Sequence, residues 1–127
     1  AEAGTVQGVL PGTPYVMGSD VWPPIQLCID EEWPWTLATD FNPNCQSLSI
    51  PMTGSLACHR LKIDPIAALA SVTRNPATTL PIHDDVVHGV IAIGAIASFN
   101  QLNSEIVESW CQSFGHSGIH KTWVHNE

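Results

Sequence analysis

Apolar residues fall in short clusters set off by proline, glycine and asparagine, and the spacing inside each cluster predicts its element. "TVQGVL" (5–10) predicts a brief strand that stops at the turn signal Pro11-Gly12-Thr13-Pro14. In "DVWPPIQLCIDEE" (20–32) a proline pair precedes Ile25, Leu27, Cys28 and Ile29, a short helical run; Pro23 and Pro24 suit a helix start and nothing deeper. "WPWTLAT" (33–39) is apolar, short and bounded by turn residues, which predicts a second buried strand. Strand, helix and strand at this spacing predict a parallel βαβ unit.

From Ser47 the period changes. Leu48, Met52 and Leu56 step by four, predicting one apolar stripe on a helix that runs to about Leu61. Asp64-Pro65 opens another: aspartate accepts the orphan amides, proline takes the first helical position, and Ile66, Leu69, Ala70 and Thr73 form the expected core face. Asn75-Pro76 ends or kinks it, with a turn of helix expected over 77–80. "HGVIAIGAIASFNQL" (88–102) predicts two short strands with Gly94 at the turn or bulge between them. "SEIVESWCQSF" (104–114) predicts a helix capped by Ser104 with Ile106, Val107 and Trp110 on its apolar side, and "IHKTWVHNE" (119–127) a last strand. The shift from helices to strands puts a boundary near 81–88.

Composition narrows the function classes. With 127 residues, 44% hydrophobic and 13% charged, the chain has a core of modest size and is no disordered polyelectrolyte. Its formal net charge of −8 is relieved only by Arg60, Lys62, Arg74 and Lys121. Such a surface repels phosphate, so neither nucleic acid nor an anionic membrane is an expected partner. No signal peptide is visible at the N-terminus, and "VVHGVIAIGAIASF" (86–99) is too short and interrupted to span a bilayer. Cys28, Cys45, Cys58 and Cys111 are widely spaced without a Cys-x-x-Cys, which favours a reducing compartment, the cytoplasm. Five Trp, ten Pro and six His in so short an acidic chain suggest a piece of something larger.

Several segments, in order and spacing, carry a family resemblance: "VLPGTPYVMG", "PPIQLCID", "LATDFNPN", "SLACHRLKIDPIAALASVTRNPA" and "HGVIAIG". They resemble the C-terminal part of imidazolonepropionase, in the amidohydrolase superfamily, most strongly from Val9 to Ala77. The resemblance implies an α/β fold: residues 1–81 as the last two strands and helices of a (β/α)8 metal-dependent hydrolase barrel, and 82–127 as strands of a small composite β domain. It implies hydrolysis of the ring amide of 4-imidazolone-5-propanoate to N-formimidoyl-L-glutamate in histidine breakdown, with one zinc or iron ion.

On that resemblance Asp40 is the acid closing the last barrel strand, a metal ligand that helps take a proton from the attacking water. A carboxylate at a strand end on the top face of such a barrel suits that work. Asn42 matches a position that contacts the substrate's propanoate or the product. Asn44 falls where many bacterial members bind through a glycine backbone, and Cys45 where they carry serine or threonine. The family's His-x-His pair, substrate Arg and Tyr, and later His and Glu belong to a preceding barrel segment missing from these 127 residues. The tail departs from the pattern: Gly94-Ala95-Ile96-Ala97-Ser98 stands where the family reads Gly-Lys-x-Ala-Asp.

Blander readings stand beside these. Asp40 and Asn42 also suit an Asx turn ahead of Pro43. His59, His83, His88, His116, His120 and His125 have no ligand spacing and are expected at the surface or in structural roles. Cys45 and Cys58 read as small buried hydrophobes. A deaminase of the same superfamily would share the strand-end acid, but the "DFNP" turn argues against it. The alternative to an enzyme segment is a catalytically inactive truncated or remnant fragment, since one carboxylate is too few ligands for a catalytic metal.

Overall fold

The computed structural model describes residues 4–80, 86–113 and 115–125. Strand β1 (Gln7–Val9) lies parallel to β2 (Trp35–Leu37), pairing Gln7 with Trp35, Gly8 with Thr36 and Val9 with Leu37. The ladder is extended by the Gln7 amide donating to the Pro34 carbonyl at 2.9 Å and the Ala38 amide to the Val9 carbonyl at 3.2 Å. The expected parallel βαβ unit is therefore present, with α2 (Ile25–Asp30) between the strands and Pro24 at its N-cap. Val9, Trp35 and Leu37 point into the core with Ile25 and Cys28 of α2.

The Pro-Gly-Thr-Pro segment is more than a turn: it nucleates α1 (Gly12–Val16). Pro14 falls in the first turn, where its missing N–H would have no helical partner in any case.

Helix α3 (Ile50–Arg60) starts at Ser49, whose hydroxyl accepts the Met52 amide at 3.2 Å. That cap leaves Leu48 outside the helix and 74% exposed, so the expected Leu48-Met52-Leu56 stripe is not the buried face. Thr53, Gly54, Ser55, Leu56 and Ala57 are buried instead, because small residues let α4 and a later segment approach closely on two sides. Helix α4 (Pro65–Val72) begins as expected: Asp64 Oδ1 accepts the Ile66 and Ala67 amides at 2.9 and 3.2 Å. Its buried face is Ala68 and Ser71, flanked by Leu69 and Val72, and Ile66 and Thr73 are exposed. Two small residues bring this helix down onto β2, a fit the larger side chains do not allow. The chain breaks at Thr73 and resumes as α5 (Arg74–Ala77), three residues earlier than expected, where the Asn75 side chain donates to the Trp35 carbonyl at 2.8 Å.

Beyond residue 85 the pattern loosens. The first strand expected in 88–102 does not form; only an isolated parallel bridge joins Val87 to Ala95, with Gly94 at positive φ in the turn before it. Ile91 and Ile93 are 91% and 109% exposed and have no neighbouring strand among the described residues. Strand β3 (Phe99–Leu102) pairs antiparallel with β4 (Ile119–Trp123), and Phe99 stacks on Trp123 with ring centroids 4.9 Å apart. Between them, the helix expected over 104–114 is a single 3-10 turn, Val107–Cys111, and Phe114 lies outside the described residues. Ser104 does not cap it: the N-cap is Ile106, and the Ser104 hydroxyl accepts the Ile106 amide at 3.1 Å in a local turn ahead of the helix. Ile106 and Val107 are exposed, while Trp110 and Cys111 are buried. One large ring sets this geometry: Trp110 enters the core of the first 80 residues, and its indole N–H donates to the Pro65 carbonyl at 2.9 Å.

Candidate functional site

β1 and β2 both run toward the same edge, so the segments that follow them meet there. After β1 comes α1, and after β2 the Thr39-Asp40-Phe41 exit and the Asn42–Cys45 turn. Gly12 makes the approach possible: a Cβ there would stand 3.0 Å from both Cys45 Sγ and the Thr39 carbonyl oxygen. The two segments singled out in the sequence, "LPGTPY" and "TDFNPN", are thus in direct contact.

Asp40 sits at the centre of this contact, half-buried, with φ +53°. The left-handed conformation costs aspartate less than most residues, because a short polar side chain tolerates it. It turns the backbone sharply off the strand. Asp40 Oδ2 accepts a hydrogen bond from the Thr13 hydroxyl at 2.6 Å. The Asn42 side-chain amide donates to Thr13 Oγ1 at 3.2 Å and to the Asp40 carbonyl oxygen at 2.6 Å. Thr13 has a single hydroxyl proton; with Asn42 donating to its oxygen, that proton is committed to the carboxylate. The result is a directional chain, Asn42 to Thr13 to Asp40, ending on an acceptor oxygen.

The turn chemistry separates the readings offered by the sequence. An Asx turn is present, but Asn42 makes it: its Oδ1 accepts the Asn44 amide at 2.8 Å, and reciprocal 3.0 Å backbone bonds join Asn42 and Cys45. The Asp40 carboxylate is spent on neither a helix cap nor the turn. Oδ2 is oriented by Thr13, and Oδ1 has no hydrogen-bond partner among the described residues. One fixed oxygen and one open oxygen suit a metal ligand or a proton acceptor, with Thr13 as the outer group that orients it.

The neighbouring candidates differ. Asn42 has both amide protons and its carbonyl oxygen engaged, so its side chain builds the site's frame. Asn44 is exposed beside Asp40's turn. Cys45 is 1% exposed, its thiol against Gly12 and the Thr39 carbonyl, so its side chain packs the two segments together. Thr13 is the residue that sequence reasoning missed; it sits inside the "LPGTPY" segment already paired with "TDFNPN".

Among the described residues no three His, Cys, Asp or Glu side chains converge on a common point. His88, His116, His120 and His125 are exposed, His59 lies exposed in the last turn of α3, and His83 falls outside the described residues. All four cysteines are free thiols. No helix among the described residues is long and apolar enough to cross a membrane.

Comparison with known proteins follows the same line. No family model matches the chain. It is 35% identical over 116 residues to imidazolonepropionase of Shewanella pealeana, a match covering 91% of this chain and 28% of that protein. The imidazolonepropionase of Hahella chejuensis is 32% identical across the whole chain, which spans 31% of it. For that of Klebsiella pneumoniae, identity is 36% over 99 residues, 77% of this chain and 24% of the relative. The chain thus spans between about a quarter and a third of the length of these relatives, coverage consistent with a C-terminal segment. Similarity at 32–36% identity to relatives that all carry this name supports reading the chain as a fragment of an imidazolonepropionase.

Proposed function

We propose that this chain supplies the Asp40 end of a cyclic amide hydrolase site, acting in a protein that opens the ring of 4-imidazolone-5-propanoate with water to give N-formimidoyl-L-glutamate. In this reading residues 1–81 are the last two strands and helices of a (β/α)8 barrel, and 82–127 belong to a small β domain. A closed barrel takes roughly 250 residues, so six further strands come from another segment. The observation that carries the reading is the Asp40 carboxylate at the exit of a parallel strand, held through one oxygen by Thr13 and open at the other.

Proteins of this family are generally metal-dependent. Asp40 Oδ1 fits a ligand position for one zinc or iron ion, with the remaining ligands from the other segment. When bound, such an ion polarises the substrate carbonyl and lowers the pKa of water to about 7. The chain's own residues do the rest: Asp40 accepts the proton of the attacking water, and Thr13 fixes the carboxylate's angle. Asn42 locks Thr13 and stands on the side of the substrate's propanoate, the Asn44 backbone lies beside it, and Cys45 packs the turn against Gly12. The protein of full natural length consumes 4-imidazolone-5-propanoate, loses that activity to a chelator, and recovers it with zinc or iron. Full activity after exhaustive metal removal, or no turnover of this substrate by the metal-loaded protein, contradicts the reading.

A second reading concerns residues 1–127 standing alone as an inactive fragment. It is favoured by coverage of about a third or less of each relative and by the presence of a single well-placed carboxylate. A catalytic zinc takes about three protein ligands, so the 127 residues alone hold no stoichiometric metal and hydrolyse nothing. One equivalent of bound zinc or iron with measurable turnover overturns that expectation. The acidic surface, a small-molecule substrate and a cytoplasmic location complete the proposal.

A further inference from the structure

The 3-10 helix Val107–Cys111 is pressed against α3 over one helical turn. A Cβ at Gly54 would overlap the Trp110 ring and stand 2.9 Å from Cys111 Cβ, so only glycine admits this approach. Ser55 donates its hydroxyl to the Cys111 carbonyl oxygen. Four residues beyond Gly54, one turn along the same face, Cys58 Sγ lies 3.8 Å from Cys111 Sγ. Both are free thiols, 53 residues apart in sequence.

We propose that Cys58 and Cys111 are a peroxide-oxidised pair, forming a reversible disulfide that ties the 3-10 helix to α3. The shift from 3.8 Å to a bond of about 2.0 Å is one of side-chain rotation, since backbone contacts already hold the two elements together. Cys58 is the first to react because it is partly exposed, whereas Cys111 is 3% exposed. Its sulfur attacks one peroxide oxygen, the O–O bond breaks, and the departing oxygen takes the thiol proton, leaving Cys58 as sulfenic acid. Cys111 sulfur then attacks the sulfenic sulfur; the S–O bond breaks and hydroxide leaves with the Cys111 proton as water. Two thiols and one hydrogen peroxide become one disulfide and two waters, with two electrons passing from sulfur to peroxide.

Burial sets the pace. It raises the Cys58 pKa, and burial followed by the Cys58 neighbour pushes Cys111 up to about 12. Thiolate is the nucleophile, so the pair resists oxidation at neutral pH and reacts faster as pH rises. Cys28 and Cys45 are buried, neither shares a sulfur–sulfur contact like that of Cys58 with Cys111, and both are expected to remain reduced.

The test is peptide mapping of the native protein after hydrogen peroxide, quenched and alkylated in denaturant. The expected result is a loss of 2 Da, carried by linked peptides holding Cys58 and Cys111, reversed by dithiothreitol and absent from Cys58→Ser. The oxidised form melts on the order of 10 °C higher, because the link closes a long loop in the unfolded chain. Mapping of the unmutated protein alone decides if the variant fails to fold. Alkylatable Cys58 and Cys111 after saturating peroxide, or Cys58 ending as sulfinic or sulfonic acid, overturns the proposal.

Discussion

The two halves of the molecule bury their apolar residues very differently. Between Gln7 and Ala77 the strands are parallel and backed by α2 and α4, and Val9, Leu37, Ile25, Leu56 and Ile63 are all buried. Among the described residues from Val86 to His125 the sheet is one antiparallel hairpin; Ile91, Ile93, Ile106 and Val124 face outward, Trp110 and Cys111 are buried in the core, and Leu102 packs against it. The first half is therefore a core to which the second half is joined chiefly by Trp110 and Cys111, with Leu102 packed alongside. The hydrogen-bonded set Asp40, Thr13 and Asn42 follows the same division, standing in the first half at the exit of paired strands.

Removing the anchor tests that division most severely. Trp110→Ala leaves a void beside Gly54 and strands the Pro65 carbonyl, and costs about 3–5 kcal/mol in denaturant unfolding. A loss under about 0.5 kcal/mol would mean the ring is not what joins the halves.

Thr13→Val probes the site's frame. It removes the one hydrogen bond that the carboxylate accepts among the described residues while keeping the side-chain shape, and lowers turnover or metal affinity about 10–100-fold in the protein of full natural length. Unchanged kinetics would show that Asp40 needs no orientation.

Alkaline pH separates the halves in another way. Cys111 stays protonated in the folded protein up to about 12, against 9.0 for an ordinary thiol. The folded state binds the proton that the unfolded state has lost, so stability is full below about 9 and falls as pH climbs toward about 12. Denaturation midpoints across that window fall for the native protein and fall less for Cys111→Ser. Equal slopes would contradict burial as the cause.

The smallest effect belongs to the exposed hairpin side. Ile93→Ser, at a fully exposed residue, changes stability by less than about 0.5 kcal/mol. A cost above about 2 kcal/mol would show a partner packed on that face.

The features legible in the sequence were those whose cause is local. Asp64-Pro65 announces a capped helix within three residues, and the proline pair before Ile25 announces another; both form as expected. The parallel strands were legible from two short apolar runs with a helix between. Contacts across long separations were not. Thr13 meets Asp40 over 27 residues, Ser55 meets Cys111 over 56, and no periodicity encodes either. The faces of α3 and α4 were misjudged for a related reason: close packing selects Gly54, Ser55, Ala68 and Ser71, whereas apolar periodicity weights the larger Leu48 and Ile66. At the site, Asp40 was found through the resemblance, while the division of labour between Asp40 and Asn42 needed hydrogen-bond directions.

The most direct test of the whole account is turnover of 4-imidazolone-5-propanoate by the protein of full natural length carrying Asp40→Asn. The amide keeps the shape and the tolerance for positive φ, so the fold survives by circular dichroism and melting. The carboxylate's charge and basicity are gone, and turnover falls by at least about 10²-fold. A folded Asp40→Asn protein that hydrolyses its substrate at the native rate would contradict the account.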